Sequence, residues 1–421
     1  MGRGSGWFRL AALVLLLLFA AGCWDHREVE DLGIVLLTAL DEAPGGKIRL
    51  EVQTLIPGAA AGGGGGGMGV GGRAGGRRPY HNLVAEEKTV FDAIRQLSMI
   101  SPRRLYFAHN QVIVISEQLA RRRGIYELLD FFDRSPQIRR DNWLLVARGD
   151  IKEILDVPPR AETTPAQRIM GEINNREQSS YFSPTRLGDF VEMLEEPAVE
   201  PYTAIVGLVP SKTVSRTGRQ SGGAEQEPAH EVKLVGTAVF RRDRLIGWLD
   251  ERETRGLLWV RKEVRGGPLK FPSPRDAGKY VTVDILRTGM SCVLKPALQE
   301  GRPAMRIKIC TRVNLVETQD LQLDLSKPEV IKELEKQLAG TIRGEVMAAV
   351  TRLQEDYRAD CLGFAAAFHR KYPAFWRQNY RNWQEVFPDI PVEVEVKAII
   401  RRTGLVTRPM RPGGGEQLLV K

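Results

Sequence analysis

Leu10 to Ala20 is an unbroken run of eleven apolar residues, with Arg3 and Arg9 as the only charges ahead of it and Asp25 the first charge after it. The run is followed by Ala21, Gly22 and then Cys23. No other feature constrains the chain as strongly, because this one decides where the rest has to fold. A cationic start, a short hydrophobic stretch and small residues at its end predict a secretory signal peptide over residues 1–22. Eleven residues span about 16 Å as a helix, roughly half the hydrocarbon core of a bilayer, so a permanent membrane helix is not expected. No later stretch reaches the ~18 apolar residues a span needs. The mature chain therefore has to hide its apolar residues in folded domains outside the cytoplasm.

The cysteine adds a second constraint. Ala20-Ala21-Gly22-Cys23 resembles the lipobox of bacterial lipoproteins, in which the Cys sulfur receives diacylglycerol and a dedicated peptidase cuts before it; Ala20 departs from the commoner Leu. An ordinary signal peptide cut after the same small residues would leave Cys23 incidental. A cysteine directly behind such a segment favours lipidation, with Cys23 as attachment residue and Ala20, Ala21 and Gly22 as the cleavage flank. Two or more acyl chains, at ~0.8 kcal/mol per buried methylene, hold a protein firmly where one chain binds marginally.

The chain carries a formal charge of +9 and stays basic once Arg3 and Arg9 are removed. On a tethered protein that charge is drawn to anionic headgroups; a nucleic-acid partner is not expected, since export takes the chain out of the cytoplasm and no nucleic-acid motif occurs. At 421 residues and 43% hydrophobic, two or three domains are expected.

The pattern along the chain is α+β. Leu32–Leu40 and Ile48–Leu55, joined through Ala43-Pro-Gly-Gly46, read as a hairpin. Residues 58–78 are dominated by glycine and read as a flexible insertion; no Gly-Lys-Ser/Thr closes them into a phosphate loop. Thr89 and Asp92 stand at capping spacing before a helix to Ile100 whose face is Phe91, Ile94 and Leu97. Leu105–Ile115 reads as one strand, Ser116 as the cap of a helix to Phe132, and Trp143–Ala147 as the next strand, an α/β order. Helices are expected over 165–177 and 184–195. The polar stretch 211–231 reads as an interdomain linker. Beyond it come strands 232–240 and 245–249, a helix 250–261, a Gly/Pro loop 266–278, and two strands, 279–295 and 303–317, turning at Gln299-Glu-Gly301. Ser326 to Glu329 reads as the capping box of a long helix with Ile331, Leu334, Leu338, Ile342, Val346, Val350 and Leu353 on one face. Val392, Val394 and Val396 alternate as a half-exposed strand. The expected architecture is multidomain α+β. An N-terminal α/β-type mixed-sheet domain (23–210) precedes a C-terminal mixed or antiparallel sheet covered by the long helix (232–405), with a flexible tail over 406–421.

Cys292 and Cys310 fall nearly opposite each other across the 299–301 turn. Met305, Ile307, Ile309, Val313 and Leu315 put the apolar face on odd positions, so Cys310 points away from Cys292, and two free thiols are favoured over a disulfide. Cys361, in a helical run, reads as a buried small hydrophobe.

The chemical inventory is thin. The histidines 26, 81, 109, 230 and 369 show no metal-ligand spacing, so neither a metal site nor a cofactor is implied. His109 reads as structural, and no Gly-x-Ser-x-Gly elbow is present. The paired acids Glu195-Glu196 and Asp250-Glu251 fit solvated helix edges. Tyr372, Phe375, Trp376, Tyr380 and Trp383, interleaved with Arg377 and Arg381, suit either a ligand- or membrane-facing patch or packing onto the sheet; packing is favoured.

Several segments, in order, resemble the Ger(x)C family, the lipoprotein C subunits of spore germinant receptors. They are Cys23-Trp-Asp-His-Arg-Glu-Val-Glu-Asp-Leu32, Thr89-Val-Phe-Asp-Ala-Ile-Arg95, Leu105-Tyr-Phe-Ala-His109 with Val112-Ile-Val-Ile115, and Thr237-Ala-Val-Phe240 with Leu245-Ile-Gly-Trp-Leu249. Glu253-Thr-Arg-Gly-Leu-Leu-Trp259 follows, then Asp360 with Gly363-Phe364, and His369-Arg-Lys-Tyr-Pro373 with Trp376 and Trp383. The stretches 58–78 and 211–231 look like additions. The resemblance implies a non-enzymatic receptor subunit of several α+β domains. It would be held on the outer face of the cytoplasmic membrane (the spore inner membrane) by its lipid and partnered by the integral membrane A and B subunits. A lipid-anchored solute-binding protein of a transporter is the alternative, but the two halves of the sequence are dissimilar where that class needs similar lobes.

Overall fold

The structure, a computed structural model, describes residues 31–56, 79–158, 162–210 and 230–403, together with Trp7. Cys23, the glycine-rich insertion, nearly all of 211–231, the tail 406–421 and all of the expected signal peptide but Trp7 lie outside the described residues.

β1 (Leu32–Ala43) and β2 (Lys47–Leu55) form the expected hairpin, turning through Gly45 and Gly46, which take φ of 73° and 72° that favour glycine. β3 (Tyr80–Glu87), a strand not anticipated, pairs antiparallel with β2. The strand expected over 105–115 is broken. β4 (Arg104–Tyr106) runs parallel to the first residues of β1, a single 3-10 turn covers Phe107–His109, and β5 (Val112–Ser116) resumes beside the middle of β1. Asn110 makes the break. Its buried side chain accepts from Thr38 Oγ1 at 3.0 Å and donates to Asn142 Oδ1 at 2.7 Å, which a regular strand would not allow.

β6 (Trp143–Arg148), β7 (Thr185–Arg186), β8 (Tyr202–Pro210), β9 (His230–Arg241) and β10 (Arg244–Leu249) complete a ten-stranded sheet. Its order is β10-β9-β8-β6-β5-β1-β2-β3, with β4 on β1 and β7 on β6. The central four strands are parallel and the flanks antiparallel. Parallel strands are buried on both faces, and parity shows it. Ile113, Ile115, Leu144 and Val146 pack under the helices Val90–Ile100, Tyr126–Arg134 and Leu187–Glu195. Val112, Val114, Leu145 and Ala147 pack under Ile151–Asp156 and Pro165–Asn174 on the other side. The helix after β5, capped by Ser116 as expected, stops at Arg122, because Gly124 turns with φ 84° before the helix Tyr126–Arg134 begins. Helix Val90–Ile100 buries Val90, Ala93 and Leu97, leaving Phe91 half-exposed, so its inner face is rotated from the one expected. The stretch 211–231 does not separate two sheets: β8 and β9 on either side of it are paired neighbours, and the sheet continues to Leu249.

The second sheet has five strands. β11 (Pro268–Pro272), β12 (Tyr280–Ile285), β14 (Arg302–Thr318) and β13 (Ser291–Gln299) lie in that order, and β15 (Val392–Arg402) runs parallel to β14. β11 occupies part of the expected Gly/Pro loop; Leu269 and Phe271 alternate inward there between Pro268 and Pro272. The expected strand 279–295 is divided at Arg287–Gly289, so that β14 takes β12 and β13 in turn along one edge. Cys292 pairs with Ile309 and Cys310 with Ser291; the thiols lie on opposite faces and both are free. The helix Pro328–Thr351 covers this sheet with Val330, Leu334, Leu338, Ile342, Val346 and Val350 buried. Val330 takes the seam position expected for Ile331. The capping box at Ser326 does not form: Asp324 accepts both Ser326 N–H and its hydroxyl, and the helix starts past Lys327 on Pro328. Cys361 is buried, but in a loop rather than a helix.

Candidate functional site

Cys23 and its flank Ala20, Ala21 and Gly22 lie outside the described residues, which, Trp7 aside, begin at Asp31. The other residues singled out from the sequence are placed, and most of them hold elements together. In the segment Glu253 to Trp259, Glu253 completes a capping box with Asp250, and Thr254 Oγ1 donates to Thr237 Oγ1 at 3.0 Å. The Arg255 guanidinium pairs with Glu345 of the long helix, and Trp259 Nε1–H donates to the same carboxylate at 3.0 Å. Gly256 between them lets the two helices touch, since a Cβ there would collide with the Glu345 carbonyl. Gly247 likewise faces the Tyr357 ring, whose hydroxyl accepts from Trp248 N–H and donates to Trp248 O, both at 2.9 Å.

Asp360 is the centre of a second joint. Its buried carboxylate accepts from the N–H groups of Gly363, Phe364 and Ala365 at 2.9, 3.0 and 2.6 Å, capping the helix Phe364–Lys371. Trp383 Nε1–H donates to it at 3.0 Å. Burial pushes the Asp360 pKa up, and these four donors oppose the shift. Glu200, just before β8, accepts from Arg242 N–H and from Gln384 Nε2 at 3.1 Å, and its own N–H donates to Asp360 O, so the first sheet is fastened to the C-terminal helices. The C-terminal aromatics pack. Phe368 meets Tyr372, Phe375 and Trp383 at ring-centroid distances of 5.5–6.2 Å, and Trp376 meets Trp383 at 5.3 Å. His109 is exposed at the 3-10 turn with its ring edge-on to Tyr106.

One cleft, of about 440 Å³, opens where the two halves meet. Among its lining residues are Trp143, Arg176, Arg186, Asp189, Glu192, Glu196, Tyr202, Arg261, Glu263 and Arg265. The guanidinium carbons of Arg176 and Arg186 lie 5.0 and 4.3 Å from the Trp143 ring centroid. Burial lowers the Arg176 pKa, and Arg265 and Arg186 push the same way. Tyr202 donates to Glu263 at 2.8 Å and accepts from Arg261 Nε at 3.2 Å; burial first, then Glu263, holds its phenol well above the usual range. With arginines and carboxylates both on its walls, the cleft is equipped to hold a polar group by salt links. Ser180 donates to Gly266 O, Ser183 to Glu263, and no histidine lines it. Among the described residues no group of three or more His, Cys, Asp or Glu is arranged to hold a metal. Sequence reasoning missed this cleft, because its walls come from four separate segments with no motif in common.

Two family models match the chain. One, described as "Spore germination protein N-terminal domain", covers residues 25–208; the other, described as "Spore germination B3/GerAC like, C-terminal", covers residues 235–404. The chain is 27% identical over 413 residues to spore germination protein KC of Bacillus subtilis (strain 168), covering 96% of this chain and 97% of that one. It is 22% identical over 402 residues to spore germination protein B3 of the same organism, covering 94% and 98%. Among solved structures, that of the GerBC protein superposes with a TM-score of 0.54 at 19% identity, over 86% of this chain and 96% of that one, a likeness of fold.

Proposed function

The chain belongs to the Ger(x)C family of spore germination proteins, and on that premise we propose that it is a lipid-anchored, non-catalytic subunit of a spore germinant receptor. The observation that carries the reading is the match of both family models, end to end, along nearly the whole mature chain. The roles of the signature residues support it: they cap helices, seat one helix on another and tie the first sheet to the C-terminal helices, as a binding scaffold requires. In this reading Cys23 carries the lipid and residues 1–22 are removed. The folded domains then stand on the outer face of the cytoplasmic membrane, which becomes the spore inner membrane, beside the integral membrane A and B subunits. The subunit works by assembly, presenting surfaces to those partners while the lipid fixes one end. A solute-binding protein would pair two similar lobes across hinge strands; a ten-stranded mixed sheet joined to a five-stranded one is not that arrangement.

Mass spectrometry of the mature N-terminus tests the anchor. The expected first residue is Cys23 carrying diacylglycerol; a mature chain starting elsewhere, with that cysteine unmodified or absent, overturns it.

A further inference from the structure

The helix Val90–Ile100 buries its inner face and ends on two large apolar side chains that it does not bury, Met99 at 80% exposure and Ile100 at 60%. Single exposed hydrophobics are ordinary on a protein surface. These two are set apart by their place. The chain passes from them through exposed Pro102 to β4, whose first residue, Arg104, pairs with Leu32, the first residue of β1. Leu32 lies nine positions after Cys23, a tether of about 30 Å at full stretch. β1 itself is 12 residues, about 40 Å. A lipid on Cys23 thus keeps the Leu32 end of the sheet within reach of the bilayer at any tilt. The Ala43 end can reach the surface as well, but only while β1 is inclined to it by less than about 50°.

The charges divide the same way. At the Ala43 end, Glu42 and Glu86 are paired with Arg122 and Arg49 at 3.3 and 2.7 Å. Arg103 and Arg104 follow Met99 and Ile100 closely in the chain and form no ion pair among the described residues, whereas Arg95 lies over the Phe91 ring at 4.9 Å. Asp133 and Asp141 at that end are taken up by Arg140 and Arg186. In the sequence, the stretch between Cys23 and Leu32 adds Asp25, Glu28, Glu30 and Asp31 against Arg27. An apolar pair followed closely by arginines that form no ion pair among the described residues suits a bilayer surface: the side chains enter the headgroup layer while the guanidiniums stay among the phosphates.

We propose that the end of the first sheet at which β1 begins is a membrane-docking face, with Met99 and Ile100 inserted into anionic lipid and the neighbouring arginines on its headgroups. The proposal rests on the lipid-anchor reading for its geometry, but docking itself needs no covalent lipid, so the two can fail separately. The lipid brings the face to the surface; the face then sets how the cleft and the C-terminal sheet are presented.

The test uses the mature chain from position 23 carrying Cys23→Ala, mixed with phosphatidylglycerol or phosphatidylcholine vesicles in a flotation assay. Binding to phosphatidylglycerol and not to phosphatidylcholine is expected, weakening with salt. The exposed double substitution Met99→Asp, Ile100→Asp is expected to lower binding at least tenfold with an unchanged unfolding curve, and Arg103→Gln with Arg104→Gln to lower it about fivefold per charge. No binding of the unsubstituted chain to phosphatidylglycerol, or equal binding by the Met99/Ile100 variant, overturns the docking face. The N-terminal mass measurement decides the anchor independently.

Discussion

Glu51 is one buried group that ties the stability of this protein to pH. It sits on β2 almost wholly removed from solvent, and burial, reinforced by Asp156, raises its pKa from 4.5 to about 7 against the opposing Asn82, Lys152 and Arg49. An acid whose pKa rises on folding holds its proton more tightly in the folded state. Its contribution to stability is therefore greatest below pH 4.5 and is lost as pH climbs through about 7. Glu172 and Glu200, also raised by burial, act with the same sign. Glu51→Gln should gain roughly 2–3 kcal/mol above pH 7 and little below pH 4.5, measured by denaturant unfolding across that range; a difference that does not change with pH would contradict this. At this scale the sequence is legible where periodicity governs. The opposite facing of Cys292 and Cys310 follows from strand alternation alone. The role of Asp360 does not, because the Trp383 indole that joins the local N–H groups on its carboxylate arrives from 23 positions away.

At the scale of elements, the contact between the helices Glu251–Arg261 and Pro328–Thr351 turns on one missing side chain. Gly256→Ala would drive a methyl into the Glu345 carbonyl and to 2.8 Å from the Ala349 Cβ, so the helices must separate and the Arg255–Glu345 and Trp259–Glu345 bonds stretch. A loss of about 2 kcal/mol or more is expected. Gly340, in the same long helix, has open space where its Cβ would be, and Gly340→Ala should instead stabilise by about 0.5–1 kcal/mol. Thermal unfolding of the two variants reads the contrast; equal shifts in one direction would show that the helix contact does not depend on Gly256. Elements whose signals are local were legible: the β1–β2 hairpin, the caps at Thr89 and Ser116, and the long amphipathic helix. Those decided by distant partners were not. β3 and β11 are stabilised by the edges they pair with, the break at Phe107–His109 by a buried Asn110 network, and the Ser326 box loses its serine to Asp324.

For the whole molecule, the sequence reads as an N-terminal and a C-terminal half joined over 211–231. The sheets divide later, after Leu249, because β9 and β10 find their hydrogen-bonding partners on β8. No local pattern announces which earlier strand a later one will choose. The candidate cleft escaped notice for the same reason, whereas the signature residues could be picked out singly but not understood until their contacts were seen. They are the joints of a scaffold, and in the proposed reading the N-terminal cysteine is the feature that puts that scaffold to use. The central claim is therefore that attachment through Cys23 is part of the function. A strain in which Cys23→Ala replaces the native residue, assayed for membrane fractionation and for germination across a panel of nutrients, tests it most directly. The protein is expected to leave the membrane fraction, and its spores to lose a nutrient response that the unsubstituted chain supports. A Cys23→Ala protein that remains in the membrane fraction, in spores that germinate unchanged with every nutrient, would contradict it.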